Sequence, residues 1–337
     1  MKITTLAVAA TLALALPAIA QTPTAFTLGR PLRDMTDSRF IAQDGIDKIR
    51  ILNDNDLADL LKDYDVVVYG EIHSHPGVHA GEIRLLDGLY DRHPNLVVSF
   101  EQFETDTQGT VDAYLAGKAG EQALIDKGRA WPQYLTAYRP MMEFARAHAL
   151  PVVAAEAPTW AISCIGQNGL GILDKFTPED RVLVAKDIHA PDDGAYHDKY
   201  MAFAMGGAHG GGDPDKAKRS FAAQAARDDT MAEHILAALD AHPGAHVIHY
   251  TGYFHAEGFL GTVERLKLRR PELKIAVILP VEASDAIAPS ADFAKLNDAT
   301  VLQLVYPSPP SFVDGEDTSG FMGAMKKTPC KYDPAQP

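Results

Sequence analysis

The chain has 337 residues, with 31 Lys and Arg against 45 Asp and Glu, for a formal charge of −14. That acidic excess argues against a nucleic-acid surface, because phosphate binding relies on clustered Lys and Arg. Past the N-terminus no stretch is long and apolar enough to span a membrane, and two lone cysteines rule out a Cys-rich zinc fold.

Met1 to Ala20 reads as an export signal. Lys2 supplies the positive end, Leu6 to Leu16 the apolar core and Ala18-Ile19-Ala20 the small-x-small cleavage site. A periplasmic or secreted protein beginning near Gln21 is therefore expected. No cysteine follows the cleavage site, so a lipoprotein anchor is not expected. About 317 residues remain, room for one large or two modest domains. In an oxidising compartment Cys164 and Cys330 are either a disulfide that staples the tail to the body or two thiols, and both readings stay open.

Short apolar runs then alternate with helical spacing. Asp65 to Tyr69 is rich in β-branched residues and reads as a strand buried on both faces, ending in Gly70-Glu71-Ile72-His73. Val78 to Arg92 has Leu85, Leu86 and Leu89 at helical spacing. Further strands are expected at Leu96–Phe100 (ending at Glu101), Pro151–Ala155 (ending at Glu156), Ala245–Thr251, Leu273–Leu279 and Val301–Tyr306. The Ala245 run ends in Gly252-Tyr253-Phe254-His255, a second G-x-x-H. This alternation predicts an α/β fold over 21–306, with a mostly parallel sheet and helices on both faces. Residues 159–243 read as a helical insertion forming a lid. In it, Thr177-Pro178 and Asp213-Pro214 carry helix-start signals, and Met205 to Gly212 is a glycine loop. Six prolines from Pro307 onward suggest a poorly packed tail over 307–337.

There is no phosphate loop, no H-E-x-x-H helix, no G-x-S-x-G elbow and no strand-borne dinucleotide fingerprint. What converges is Glu71, His73, Glu101, Glu156 and His255, all at predicted strand ends, where ligand sites of parallel sheets gather. Glu71, His73, Glu101 and His255 are the residues expected to hold a divalent metal such as Fe, Mn or Zn. Alternatively His73, Glu101 and His255 form a metal-free acid/base set for a hydrolase or lyase. His75 and His79 read more readily as surface residues than as ligands and stay minor candidates only. In the later helix, Arg227 and Asp228 sit on or beside the apolar stripe of Phe221, Met231, Ile235 and Leu239. Such polar groups need partners, so they reach the acidic cluster or a ligand carboxylate, or they form an internal salt bridge tying helix to sheet.

The motifs Gly70-Glu71-Ile72-His73, Glu101-Gln102-Phe103, Tyr138-Arg139-Pro140, Ala154 to Pro158, Gln224 to Ala232 and Gly252 to His255 occur in one order over roughly residues 50–280. Taken together, the chain resembles the ChaN-like haem-binding uptake family of the Tiki and erythromycin-esterase-like superfamily. That resemblance implies an exported α/β protein whose helical lid helps bind haem or iron during uptake. It also implies that related branches hydrolyse substrates with the two histidines and the glutamate, with or without metal. Many relatives carry Asn where this chain has Glu156, which makes this site more acidic. Haem would demand apolar walls, an axial donor and propionate partners. Tyr196, Tyr200 and His209 in the insertion, with Arg227 and Asp228, are the expected haem-binding residues, although a Tyr stripe packing on the core accounts for the tyrosines equally well. Haem or another large small molecule is the expected ligand, as cargo or as substrate, and a homodimer stays open.

Overall fold

In the computed structural model, which describes residues 25–45, 48–206, 213–313 and 328–332, the apolar run at Val66 lies inside an eight-stranded sheet. The elements in chain order are β1 (Ala25–Thr27), β2 (Ser38–Gln43), β3 (Ile49–Leu52), α1 (Asp54–Leu61), β4 (Val66–Glu71), α2 (Pro76–Arg92), β5 (Leu96–Glu104), α3 (Gln108–Leu115), α4 (Glu121–Asp126) and α5 (Arg139–Ala147). There follow β6 (Val152–Glu156), α6 (Thr159–Asn168), α7 (Pro178–Arg181), α8 (Ala195–Met205), α9 (Pro214–Ala241), β7 (His246–Gly252), α10 (Thr262–Arg269), β8 (Ile275–Glu282), β9 (Ser290–Asp292) and β10 (Val301–Val305).

The sheet order is β3-β2-β10-β8-β4-β7-β5-β6. From β10 to β6 every pairing is parallel, whereas β2 runs antiparallel to β10 and to β3. The six parallel strands are the six apolar runs of the sequence. The antiparallel edge was not among the expected strands, and β1 pairs with β9 in a separate two-stranded sheet.

Alternate residues of the central strands feed two cores, as the two-residue period of a strand requires. Val67 and Tyr69 of β4 face one side with α1, α2 and α5, contributing Leu57, Leu61, Leu85, Leu86, Met141 and Met142. Val66 and Val68 face the other side with α9 and α10, contributing Ile235, Leu236, Val263 and Leu266. The sheet is thus sandwiched between helical layers, as the alternation predicts.

The insertion between β6 and β7 is helical, α6 to α9, and builds two small cores of its own. Asp213 caps α9 by accepting from the backbone N–H groups of Asp215 and Lys216. Thr177 caps only the four-residue α7. Cys164 of α6 and Cys330 form a disulfide. The tail is therefore better packed at 328–332 than its prolines suggested: Tyr332 stacks on Phe176 with ring centroids 4.7 Å apart. The export segment at 1–20 and His209 lie outside the described residues.

Candidate functional site

β4, β5 and β7 end side by side, and the register sets Glu71 opposite Gly252. Glu71 is the last residue of β4 and is wholly buried. Its Oε1 accepts from the Tyr138 hydroxyl at 2.6 Å and the Gln102 amide at 3.1 Å, and lies 2.5 Å from His73 Nδ1. Glu101 lies within β5, which runs on to Glu104 rather than stopping at Phe100. Its Oε2 accepts from the Thr251 hydroxyl and the Gly252 N–H, at 2.7 and 2.6 Å, and its Oε1 accepts from Arg227 at 2.7 Å. Arg227 also donates to Glu156 at the end of β6.

One turn of α9 does two jobs. Arg227 bridges Glu101 and Glu156, while the next residue, Asp228, lies with Oδ1 2.8 Å from His255 Nδ1. Asp228 also accepts from the hydroxyls of Thr262 and Tyr196. His255 Nε2 then stands 3.8 Å from Glu101 Oε1. Arg227 thus reaches the acidic cluster, and the same contacts are an internal salt bridge tying α9 to the sheet.

Each imidazole therefore has a carboxylate behind its Nδ1: Glu71 for His73 and Asp228 for His255. This arrangement fixes ring orientation and raises basicity. Burial alone would lower the pKa of His73, but its hydrogen bond to Glu71 and the Glu101 charge outweigh it and the net shift is upward. His255 behaves likewise, with burial overcome by Asp228 and Glu101. Burial would raise Glu101, but the charges of His255 and Arg227 hold it well below the usual carboxylate range. Glu71 goes the other way: burial, then the charge of Glu82, push it up to about 7.

Both histidines, with Glu71, Glu101, Arg227 and Gly252, line a cavity of about 680 Å³. The rest of the lining comes from the insertion and the β7 loop: Tyr200, Phe203, Ser220, Gln224, Tyr253 and Phe254. A Cβ at Gly252 would sit 2.9 Å from His73 Nε2, so any side chain there would push the His73 ring aside. The ring of Trp131 packs edge-on against His73 at 4.9 Å.

The expected residues are not equally placed. Tyr196 and Tyr200 share the buried face of α8, as their spacing requires. Tyr196 gives its hydroxyl to Asp228 and is not part of the cavity wall, whereas Tyr200 is, with its hydroxyl 2.5 Å from Ser220 Oγ. The metal set expected from the sequence does not converge in the same way. Glu101 is already neutralised by Arg227. Among the described residues, the His, Cys, Asp and Glu atoms that gather within 4.8 Å of one another belong instead to Glu71, His79 and Glu82.

Glu82 was missed, and His79 stood only as a minor candidate. His79, expected at the surface, is buried against Glu71 and Glu82, and His75 is buried as the cap of α2. The signal was in the α2 pattern. Val78, Glu82, Leu85 and Leu89 repeat at three or four residues, so Glu82 occupies a core position of the apolar stripe. Tyr138 and Gln102, which hold Glu71, stood only within the family motifs.

The fold is shared with known proteins. One solved structure, described as cofacial heme binding to ChaN of Campylobacter jejuni, aligns with a TM-score of 0.58 at 13% identity, over 80% of this chain and 98% of that one. At that identity the likeness is one of fold. A mutant of the erythromycin esterase EreC in its open conformation aligns less well, with a TM-score of 0.45 at 10% identity over 77% of this chain and 95% of that one. No curated protein matches the sequence. Residues 57–266, more than half of the chain and spanning the first G-x-x-H, the α9 motif and the second G-x-x-H, match the family described as haem-binding uptake, Tiki superfamily, ChaN, and the chain belongs to that family.

Proposed function

We propose that the chain binds haem in the 680 Å³ cavity, as an exported protein of haem or iron uptake. The observation that carries this reading is the pairing of two unlike walls. On one side His73 has its Nδ1 on Glu71, which leaves Nε2 for a ligand, and this is the usual arrangement of a metal-binding histidine. On the other, Tyr200, Phe203, Tyr253 and Phe254 offer the apolar, aromatic lining that a porphyrin needs. The volume falls within the range of about 300–1,000 Å³ typical of small-molecule sites. His73 Nε2 is the axial group we assign. Tyr196 is set aside because its hydroxyl is committed to Asp228. Phe203, Met205 and Tyr253 are 42%, 42% and 45% exposed, an apolar rim against which a second copy of the chain would close a homodimer around cofacial haems like those of the Campylobacter jejuni protein. The Cys164–Cys330 disulfide supports an oxidising, exported location.

Hemin titration of the full chain should give a saturable Soret shift, and His73→Ala should weaken binding by about tenfold or more. A wild-type response no different from that of a nonspecific control protein would reject haem as the ligand. Equal binding by His73→Ala would reject the axial assignment.

One observation favours a second reading. Two imidazoles, each oriented by its own carboxylate, face one cavity beside Glu101, which suits acid/base hydrolysis. Ester or amide turnover that disappears in His255→Ala, in protein that shows no hemin response, would establish it.

A further inference from the structure

We propose that Glu71, His79 and Glu82 form a buried site for one first-row divalent metal ion, directly behind the cavity wall. Glu71 ends β4, and α2 lays His79 and Glu82 one turn apart on its sheet-facing side. His79 Nδ1 stands 2.8 Å from Glu82 Oε2 and 4.0 Å from Glu71 Oε2. Around an ion with bonds near 2.0–2.2 Å, neighbouring donor atoms stand about 3 Å apart and opposite ones about 4 Å. The three side chains therefore span the right distance without rearrangement of the backbone.

What requires an occupant is the set of unmet polar atoms. Glu71 Oε2 and Glu82 Oε1 are both buried without a hydrogen-bond partner, beside the Nδ1 face of His79. Glu71 and Glu82 have no exposure and His79 has 6%. Buried polar groups are nearly always satisfied, by protein, water or an ion. No lysine or arginine pairs with either carboxylate among the described residues, in contrast to Glu101 with Arg227. A divalent cation would balance the two negative charges. Two carboxylates with one imidazole suit Mn²⁺, Fe²⁺ or Zn²⁺ rather than soft ions, which prefer sulfur.

The site would also act on the cavity. Glu71 uses Oε1 for His73 and Tyr138 and presents Oε2 to His79. An ion on Oε2 would keep Glu71 ionised, so His73 would donate from Nδ1 and present Nε2 to whatever the cavity holds. This inference stands whether that ligand is haem or a hydrolysable substrate.

The test uses the full-length chain, stripped with chelator, reloaded separately with Mn²⁺, Fe²⁺ (anaerobically) and Zn²⁺, desalted, and assayed by plasma mass spectrometry and thermal melting. We expect about one ion per chain and a raised melting temperature. Glu82→Gln and His79→Ala should each fall to background, while the His73→Ala plus His255→Ala double variant keeps its ion. Background metal in the wild type would overturn the proposal and leave a proton shared between Glu71 and Glu82. So would full occupancy in Glu82→Gln or His79→Ala, or loss in the double variant. Anomalous diffraction from loaded wild-type crystals needs no variant to fold. It should place the ion between these three side chains, and a peak elsewhere overturns the assignment.

Discussion

His255 illustrates how a single buried charge sets both geometry and pH response. Its ring is packed among Asp228, Glu101, Arg227 and Gln224. Burial and Arg227 oppose the imidazolium, while Asp228 and Glu101 favour it, and the net folded-state pKa lies above the ordinary 6.5. A histidine with a raised folded pKa contributes stability that is fully present below its unfolded pKa and is lost as pH rises through the folded value. Asp228→Asn keeps an oxygen for the Nδ1 proton but removes the charge. We therefore expect this variant to melt below the wild type, with the gap widest near about pH 6 and narrowing towards about pH 9. A gap that is constant over that range would mean that Asp228 acts by shape and hydrogen bonding alone.

At the scale of elements, α2 shows which features the sequence disclosed. Its length and Leu stripe were legible because helical spacing records burial directly. So were the six parallel strands, whose two-sided burial demands unbroken apolar runs. β2 and β3 were not. Their segments, Ser38–Gln43 and Ile49–Leu52, are short antiparallel strands at one end of the sheet with polar residues interspersed, and such a pattern scarcely differs from loop. The cavity residues were legible because catalytic-type side chains stand out where they follow a strand. Glu82 was not, and His79 only faintly, because a polar residue inside a helix reads as solvated unless its position on the apolar face is given weight. Gly81, between them, marks how closely α2 approaches the sheet. A Cβ there would lie 2.5 Å from the Tyr69 hydroxyl and close to Gln303 Nε2. Those two side chains are buried and held by each other, Tyr69 donating to Gln303 Oε1 while Gln303 donates to Gly77 O and Ser38. Gly81→Ala should therefore cost about 1–3 kcal/mol by overpacking, although alanine is the better helix former. Urea unfolding measures this, and an unchanged or raised midpoint would show that α2 can step back from the sheet.

At the scale of the whole molecule, the cavity depends on an insertion that is tied to the sheet from two directions. From inside, α9 reaches the strand ends through Arg227 and Asp228. From outside, Cys330 is bonded to Cys164 of α6, 166 residues earlier in the chain. Beside it, Lys331 pairs with Asp180 at 2.6 Å and lies 3.7 Å from the centre of the Trp160 ring, while Tyr332 covers Phe176. This strap closes the small core of Ile165, Phe176 and Val184 that supports α9 from behind. A cross-link closing so long a loop removes much of the freedom of the unfolded chain, about 5 kcal/mol in the chain-entropy picture and about 2–5 kcal/mol in practice. Cys330→Ser should thus be destabilised within that range. Reductant should lower the melting temperature of the wild type to that of the variant and leave the variant unmoved. If the variant melts with the wild type, the aromatic and ionic contacts of residues 331 and 332 hold the strap on their own, and the insertion owes its place to α9.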